Sequence, residues 1–292
     1  MHHSHCVGNA RKIKSPGQAR LIRYGATLIF VSVCAFCPSS ANLTGEHIWP
    51  AWLSKLLPKT RYKNERIDGD AKTTWTTTRL DQTANVVCKT CNETWMSDLE
   101  HKAKALLTNV IVNGKQTAFG TEDMMFLAGY AFKNAVIANY QTLRLVPEPI
   151  STRAQRERFR TSLTLPPDIR VWVSSFQGHA RYSGRSNPRY AKSTTDPAPL
   201  DDLDIFTHTY VVGHLVFQVL AYRFNSIFNR GLRIELPKQT NVWNQACQQI
   251  WPIEADTITW PAKYLGPRTI ELFVDRWFGQ IPITLIREPR IL

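Results

Sequence analysis

Two Cys-x-x-Cys pairs are the feature of this sequence that most constrains its fold. Cys34 and Cys37 form the first pair, and Cys88 and Cys91 form the second. Two residues between cysteines allow both thiolates to face one ion, and two such pairs supply the four ligands of a closed tetrahedral zinc site. We therefore predict a structural zinc ion that joins two segments lying fifty residues apart.

Two disulfide bonds are the alternative use of these cysteines, and they would imply an exported protein. The apolar run at 26–33 follows a basic segment, as the core of a secretory signal does. Cleavage after that run would remove or isolate Cys34 and Cys37, and a disulfide within a Cys-x-x-Cys pair closes a strained small ring. The run is also short and β-branched, so we predict a strand there, a zinc site and a cytoplasmic protein.

The charge of the chain favours an anionic partner. Its 292 residues include 36 Lys and Arg against 23 Asp and Glu, which gives a net charge of +13. A balance this basic is typical of proteins that bind nucleic acid or an acidic membrane surface. We expect no membrane as a partner, because no apolar run reaches the roughly 18 residues of a membrane-spanning helix. The basic residues before Glu46 have no acidic neighbours, which predicts a basic, flexible arm at 1–24.

The residues around the two cysteine pairs resemble the HNH endonuclease family, whose core is the ββα-metal fold. Four features carry the resemblance in order: a Cys-x-x-Cys pair, an acidic-His-Ile-x-Pro segment at 46–50, an Asn shortly before the second pair and an Asn directly after it. Together they cover roughly residues 28–105. The resemblance implies a metal-dependent endonuclease that hydrolyses phosphodiester bonds of nucleic acid, with DNA as the expected substrate.

The resemblance also implies roles for four residues. His47 matches the general base that deprotonates the attacking water, and Asn85 matches the residue that fixes the loop carrying this base. Glu46 and Asn92 match the ligands of a single divalent cation, Mg²⁺ or Mn²⁺. Two positions depart from the family pattern, because Glu46 stands where Asp is more usual and Asn92 is a weaker, neutral ligand. Met96 also stands where some members have a further ligand.

Phosphodiester cleavage calls for these kinds of residue on chemical grounds as well. Histidine is the usual general base near neutral pH, and oxygen ligands suit a hard cation that can bridge the scissile phosphate and the leaving oxygen. Because neighbouring residues on a strand point to opposite faces, Glu46 and His47 need a bulged or bent strand to reach one cleft. Gly45 and Pro50 are consistent with such a bend.

A zinc-stabilised nucleic-acid-binding or interaction protein without catalysis is the second hypothesis. A Glu-His dipeptide is common on protein surfaces, and Asn92 is of the residue type that caps a helix, here one starting near Glu93. Cleavage of nucleic acid that depends on a divalent cation would separate the two hypotheses. Neither hypothesis predicts an oligomeric state.

The pattern along the chain predicts an α+β protein. We expect a zinc-stabilised ββα-metal HNH core at 25–112, followed by an accessory region at 113–292 with helices and a smaller β-rich part. Apolar residues at three- and four-residue steps predict the helices. These are expected from Glu93 to Asn113, at 121–144, at 152–162 and at 268–279, with strands at 171–173, at 206–222 and before Pro252 and Pro261.

Basic residues recur at two places in the accessory region. The helix predicted at 152–162 carries four arginines, which we expect to form a solvated face, with a phosphate-facing strip as the alternative: Arg153, Arg156, Arg158 and Arg160. The segment 178–200 is rich in Ser, Arg, Pro and Gly, which predicts a loop or the tip of a long hairpin. Its mixture of basic and aromatic residues suits nucleic-acid contacts and an ordinary exposed loop equally.

Overall fold

The computed structural model describes residues 19–24, 27–48, 50–57, 62–68, 71–77, 83–141, 151–186, 203–224, 232–235, 246–266, 269, 273 and 284–287. Over these residues the protein is α+β, as the sequence predicts. Its helices are α1 (Leu53–Leu56), α2 (Lys89–Cys91), α3 (Ser97–Asn113), α4 (Thr121–Gln141) and α5 (Arg153–Ser162), and a π-helical turn at Asn92–Met96 joins α2 to α3. Its strands are β1 (Ala19–Tyr24), β2 (Thr27–Ser32), β3 (Leu43–His47), β4 (Tyr62–Asp68), β5 (Ala71–Thr77), β6 (Thr83–Cys88), β7 (Thr117–Gly120), β8 (Ile169–Ser186), β9 (Leu203–Phe224), β10 (Leu232–Glu235), β11 (Cys247–Trp251), β12 (Thr257–Trp260), β13 (Tyr264–Leu265) and β14 (Thr284–Arg287).

An antiparallel pair of strands and the helix that follows carry the predicted site residues. β3 pairs with β6, and α2, the π-helical turn and α3 follow β6 directly. The register shifts between Thr44 and Gly45, because β6 contains Val86 as an extra residue at that point. The predicted bulge is therefore present, but it precedes Glu46, so Glu46 and His47 still alternate between opposite faces of β3.

The segment before the first cysteine pair forms a hairpin of β1 and β2. β2 confirms the strand predicted at 26–33. β1 occupies the last six residues of the segment for which the sequence predicts a flexible basic arm, and residues 1–18 lie outside the described residues.

The helices begin and end close to the predicted positions. α3 ends at Asn113 because Gly114 adopts a left-handed conformation with φ of 60° and donates its N–H back into the last turn. α4 covers the predicted helix as far as 141, beyond which the described residues end. α5 starts after Thr152, which forms a capping box with Gln155.

A four-stranded sheet dominates the accessory region. β9 pairs antiparallel with β8, and β11 and β13 flank β8 on the other side. The predicted strands lie in β8, β9, β11 and β12. β8 continues to Ser186, where its residues pair with β9, so the predicted segment at 178–200 begins as one arm of a long hairpin, and 187–200 lies outside the described residues. Of the helix predicted at 268–279, only Thr269 and Phe273 are described.

One hydrophobic cluster extends across the predicted boundary at 112. It contains Val86 and Leu99 from the predicted HNH core and Leu127, Val171 and Leu215 from the accessory region. The central element is α4, which is buried from Leu127 to Tyr140 and packs against α3, β6, β8 and β9. Among the helices of the described part of the chain, none combines the length and apolar character needed to cross a membrane.

Gly213 allows β9 to pass against the end of α3, and its replacement tests this packing. Its φ is 55°, and a Cβ there would overlap the carbonyl oxygen of Ile111. We expect Gly213→Ala to lower the free energy of unfolding by at least about 2 kcal/mol, because the left-handed conformation alone costs roughly 1–2 kcal/mol and the overlap adds to it. Gly120→Ala is the control, since a Cβ at Gly120 meets no atom within 4 Å. Equal losses of unfolding free energy for the two variants, measured by urea denaturation, would contradict this packing.

Candidate functional site

The four cysteines of the two Cys-x-x-Cys pairs meet in one buried cluster. Their sulfur atoms all lie within 4.8 Å of one another, and those of Cys37 and Cys88 are 3.5 Å apart. Four Zn–S bonds of about 2.3 Å in a tetrahedron place the sulfurs about 3.8 Å apart, which is close to the observed spacing. All four cysteines are free thiols. The cluster can therefore hold a metal ion such as zinc.

The backbone of each pair turns its sulfurs inward. The N–H of Phe36 points at Sγ of Cys34, and the N–H of Cys91 points at Sγ of Cys88, both at 3.5 Å. Such contacts stabilise the negative charge of a metal-bound thiolate. The N–H of Ala35 donates to the carbonyl oxygen of Val86 at 2.7 Å, so the first pair is also attached to β6.

The thiols differ in how readily they ionise. A hydrogen bond from the Cys91 thiol lowers the pKa of Cys34 to about 5, and the same bond raises the pKa of Cys91. Burial raises the pKa of Cys37 to about 11. One thiolate therefore forms readily in the metal-free cluster, and a bound cation would displace the protons of the other thiols.

Two arginines of α5 hold the first cysteine pair. Arg156 is fully buried, and its Nε donates to the carbonyl oxygen of Ala35 at 2.7 Å while its Nη1 donates to that of Ser151. Arg153 donates from Nη2 to the carbonyl oxygen of Cys37 at 2.7 Å. Because four thiolates around one divalent cation carry two net negative charges, these two guanidinium groups also offset the charge of a loaded site.

The prediction of a solvated arginine face on α5 is wrong for two of its four residues. Arg158 is exposed and Arg160 is half-buried, but Arg153 and Arg156 turn toward the cysteines. They lie three residues apart on the helix face that also carries Phe159, whose ring packs 5.0 Å from that of Phe132. A buried arginine needs acceptors, and the sequence does not reveal that the carbonyl groups of the first pair lie opposite this face.

Glu46 is buried and forms an ion pair with Lys133 of α4. The Nζ of Lys133 lies 2.7 Å from Oε1 of Glu46 and 2.8 Å from Oε1 of Glu100. Burial lowers the pKa of Lys133, but the attraction of the two carboxylates outweighs this effect and raises the pKa overall, so the ammonium stays charged. Lys133 was not predicted as a site residue, because its only signal in the sequence is a lysine within a mostly apolar stretch of helix.

Asn92 is anchored to β3 through its amide nitrogen. Its Nδ2 donates to Oγ1 of Thr44 at 3.1 Å, and Thr44 donates from Oγ1 to the carbonyl oxygen of Val87 at 3.1 Å. Because a hydroxyl has one proton, Thr44 must accept from Asn92, which leaves Oδ1 of Asn92 as the end of the amide that can bind another group. Asn92 has helical backbone angles and is not the N-cap, which is Cys88.

His47 and Asn85 lie on the other face of the strand pair. Gly45 pairs with Asn85 and His47 pairs with Thr83, so these four positions share one face, with three side chains on it. Asn85 is exposed, and its Oδ1 lies 3.0 Å from the position that a Cβ of Gly45 would take. His47 is half-buried, and its Nδ1 is buried with no hydrogen-bond partner among the described residues.

The four predicted site residues thus belong to one β–β–α unit and form two pairs within it. Glu46 shares a face of β3 with Thr44, the residue that anchors Asn92. His47 and Asn85 occupy the opposite face, and His47 is the last residue of β3. No hydrogen bond or ion pair within the described part of the chain joins His47 to Glu46 or Asn92.

The cysteine cluster generates a first prediction for this site. We expect Cys88→Ser to lose bound zinc and stability together, because a structural zinc contributes directly to folding. Cys247→Ala is the control, since Cys247 is buried but lies outside the cluster, and it should keep wild-type zinc content. Zinc per chain and the thermal unfolding temperature are the measurements. A stable, zinc-free Cys88→Ser protein would show that no metal clamps these segments.

The contacts of α5 generate a second prediction. Arg156→Met should release zinc to a chelator at least about tenfold faster than the wild type and lower the stability by about 2–4 kcal/mol, because it leaves buried carbonyl groups without donors. Arg158→Met removes an exposed arginine from the same helix and should change neither quantity. Equal rates of zinc release from the two variants would show that the contacts of α5 do not stabilise the metal site.

Comparison with known proteins identifies no relative, so the functional assignment depends on the residues of the site. No protein-family model, no curated protein and no solved structure matches this chain. The four-cysteine cluster is the feature that the fold itself provides, and it is consistent with a zinc site.

Proposed function

We propose that this protein is an HNH-type, metal-dependent endonuclease that hydrolyses phosphodiester bonds of nucleic acid, with DNA as the expected substrate. The observation that carries the proposal is the buried cysteine cluster, which ties the segment before β3 to the start of the helix after β6. A zinc ion in this cluster would hold Glu46 and His47 on a strand next to Asn92 on a helix. This is the order of elements that the resemblance to the ββα-metal fold implies.

His47 is the general base of the proposed reaction. Its Nδ1 is buried and has no hydrogen-bond partner among the described residues, so Nε2 is the nitrogen that would accept a proton from water in this proposal. Asn85 shares its face of the strand pair, and the absent side chain of Gly45 gives the Asn85 amide room beside β3. Asn85 is thus placed to orient the segment that carries the base.

Glu46 and Asn92 are the residues that would hold Mg²⁺ or Mn²⁺. Oδ1 of Asn92 has no hydrogen bond to any of the residues that the structure describes. A carboxylate has about four lone-pair sites, of which Lys133 takes one on Glu46. A bound hard cation supplies charge stabilisation at the phosphate and at the leaving oxygen. Glu46 and His47 lie on opposite faces of β3, whereas the base and the cation must both reach one phosphate. The proposal therefore requires the chain to turn at His47, the last residue of β3, so that the imidazole reaches the cleft beside Glu46 and Asn92.

The charge and the cysteines support the same proposal. A net charge of +13 favours a polyanionic substrate through counterion release. No disulfide bond joins the cysteines of the cluster, and free thiols are typical of cytoplasmic proteins, so we propose a cytoplasmic protein.

A zinc-stabilised nucleic-acid-binding protein without catalysis is the second candidate, and one contact favours it. The Glu46 carboxylate already has an ammonium at 2.7 Å, and a positive charge at that distance weakens its attraction for a second cation. This candidate predicts binding of DNA in the presence of Mn²⁺ without any cleavage.

Replacement of the proposed base separates the two candidates. With supercoiled plasmid and Mn²⁺, the wild type should produce nicks and His47→Ala should be at least about 100-fold slower, because a positioned base typically contributes 10²–10⁴-fold. Zinc content and the unfolding temperature should not change, and nicking should stop without Mn²⁺. His101→Ala, which removes an exposed histidine of α3, should cut as the wild type does. Cutting by His47→Ala at the wild-type rate would remove His47 from the mechanism.

A further inference from the structure

Lys133 is a fully buried lysine for which the predicted reaction has no role. It lies on the central helix α4, with none of its side chain exposed to solvent. Burying an ammonium group costs free energy, and well-packed apolar residues often stabilise a core as well as a buried ion pair does. A role other than packing would therefore explain why a lysine occupies this position.

The two partners of Lys133 come from the two elements that form the proposed site. Glu46 lies on β3, and its side chain is 5% exposed, whereas Glu100 lies on α3 and is 24% exposed. Glu100 follows Asn92 by two turns of the helical segment. One ammonium group thus connects the strand that carries Glu46 with the helix that begins at the proposed cation ligand Asn92.

We propose that Lys133 is a positioning residue that fixes the Glu46 carboxylate for binding of the divalent cation. This inference rests on the proposed function, because it takes Glu46 as a cation ligand. The hydrogen bond from Nζ occupies one site on Oε1 of Glu46, which limits the rotation of the carboxylate and leaves its other lone pairs for a cation. Partners of this kind typically change metal affinity or activity by 10–100-fold when they are removed.

The test variant removes the contact with Glu46 without changing the net charge. In the wild type, two carboxylates and one ammonium group carry a net charge of −1. Lys133→Met alone would leave two unpaired carboxylates and risk unfolding. The double variant Lys133→Met, Glu100→Gln leaves Glu46 as the one charged group, so the net charge of the three positions stays at −1. Glu100→Gln alone keeps the contact between Lys133 and Glu46 and is the matched comparison.

Two readouts on the full-length chain separate positioning from stability. One is Mn²⁺ binding, followed by the loss of the electron paramagnetic resonance signal of free Mn²⁺. The other is the steady-state kinetics of nicking, with kcat and KM for DNA measured separately. Lys104→Met, which removes an exposed lysine of α3, is the surface control. Zinc content and unfolding temperature are recorded for every variant.

For the double variant we expect Mn²⁺ affinity or kcat to fall 10–100-fold, with an unchanged KM for DNA because a buried side chain does not touch DNA. Glu100→Gln should lose much less Mn²⁺ affinity or kcat, and Lys104→Met should have the wild-type values of both. A double variant that is less stable but keeps wild-type Mn²⁺ affinity and kcat would overturn the inference, because Lys133 would then be a structural residue only.

The same data distinguish failure of this inference from failure of the proposed function. A wild type that binds Mn²⁺ but does not cut refutes the endonuclease, and the Mn²⁺ affinity of the double variant then decides the role of Lys133. A wild type that binds no Mn²⁺ refutes both. A wild type that cuts, next to a double variant with the same kcat and the same Mn²⁺ affinity, refutes the role of Lys133 alone.

Discussion

The convergence of four cysteine sulfurs is the interaction on which the rest of this structure depends. Cys37 and Cys88 are 51 positions apart in sequence, yet their sulfurs are 3.5 Å apart. The first cysteine pair precedes β3, and the second pair lies at the end of β6 and in the helix that follows. The cluster therefore determines where β3 and this helix meet. Four buried thiols are a poor source of cohesion by themselves, whereas four thiolates around one cation form strong bonds. A metal ion held by the four sulfurs would add such bonds to the packing of these buried residues.

Two buried basic side chains connect the accessory region to the segments around the cysteine cluster. Arg156 of α5 donates to the first cysteine pair, and Lys133 of α4 donates to Glu46 on β3. Both side chains are fully buried and both partners belong to the predicted core at 25–112. Because α4 also packs on β6 within a continuous hydrophobic cluster, the accessory region contributes directly to the shape of the candidate site.

Local features of this chain could be predicted from sequence, and contacts between distant residues could not. The cysteine spacing predicted the cluster, and Gly114 marked the end of α3. The contacts of Lys133 with Glu46 and of Arg156 with Ala35 escaped prediction because these residues lie 87 and 121 positions apart, and an isolated basic residue carries no motif. The bulge was expected from Gly45, but its extra residue, Val86, is on the opposite strand, where only the register of pairing reveals it. That register also decides which face of β3 carries Glu46 and which carries His47.

The direct test of the account is X-ray absorption at the zinc edge on protein purified without added metal. The account predicts about one zinc ion per chain with four sulfur neighbours at about 2.3 Å. Protein without zinc, zinc with nitrogen or oxygen ligands in place of sulfur, or sulfur pairs at the disulfide distance of about 2.05 Å would contradict it.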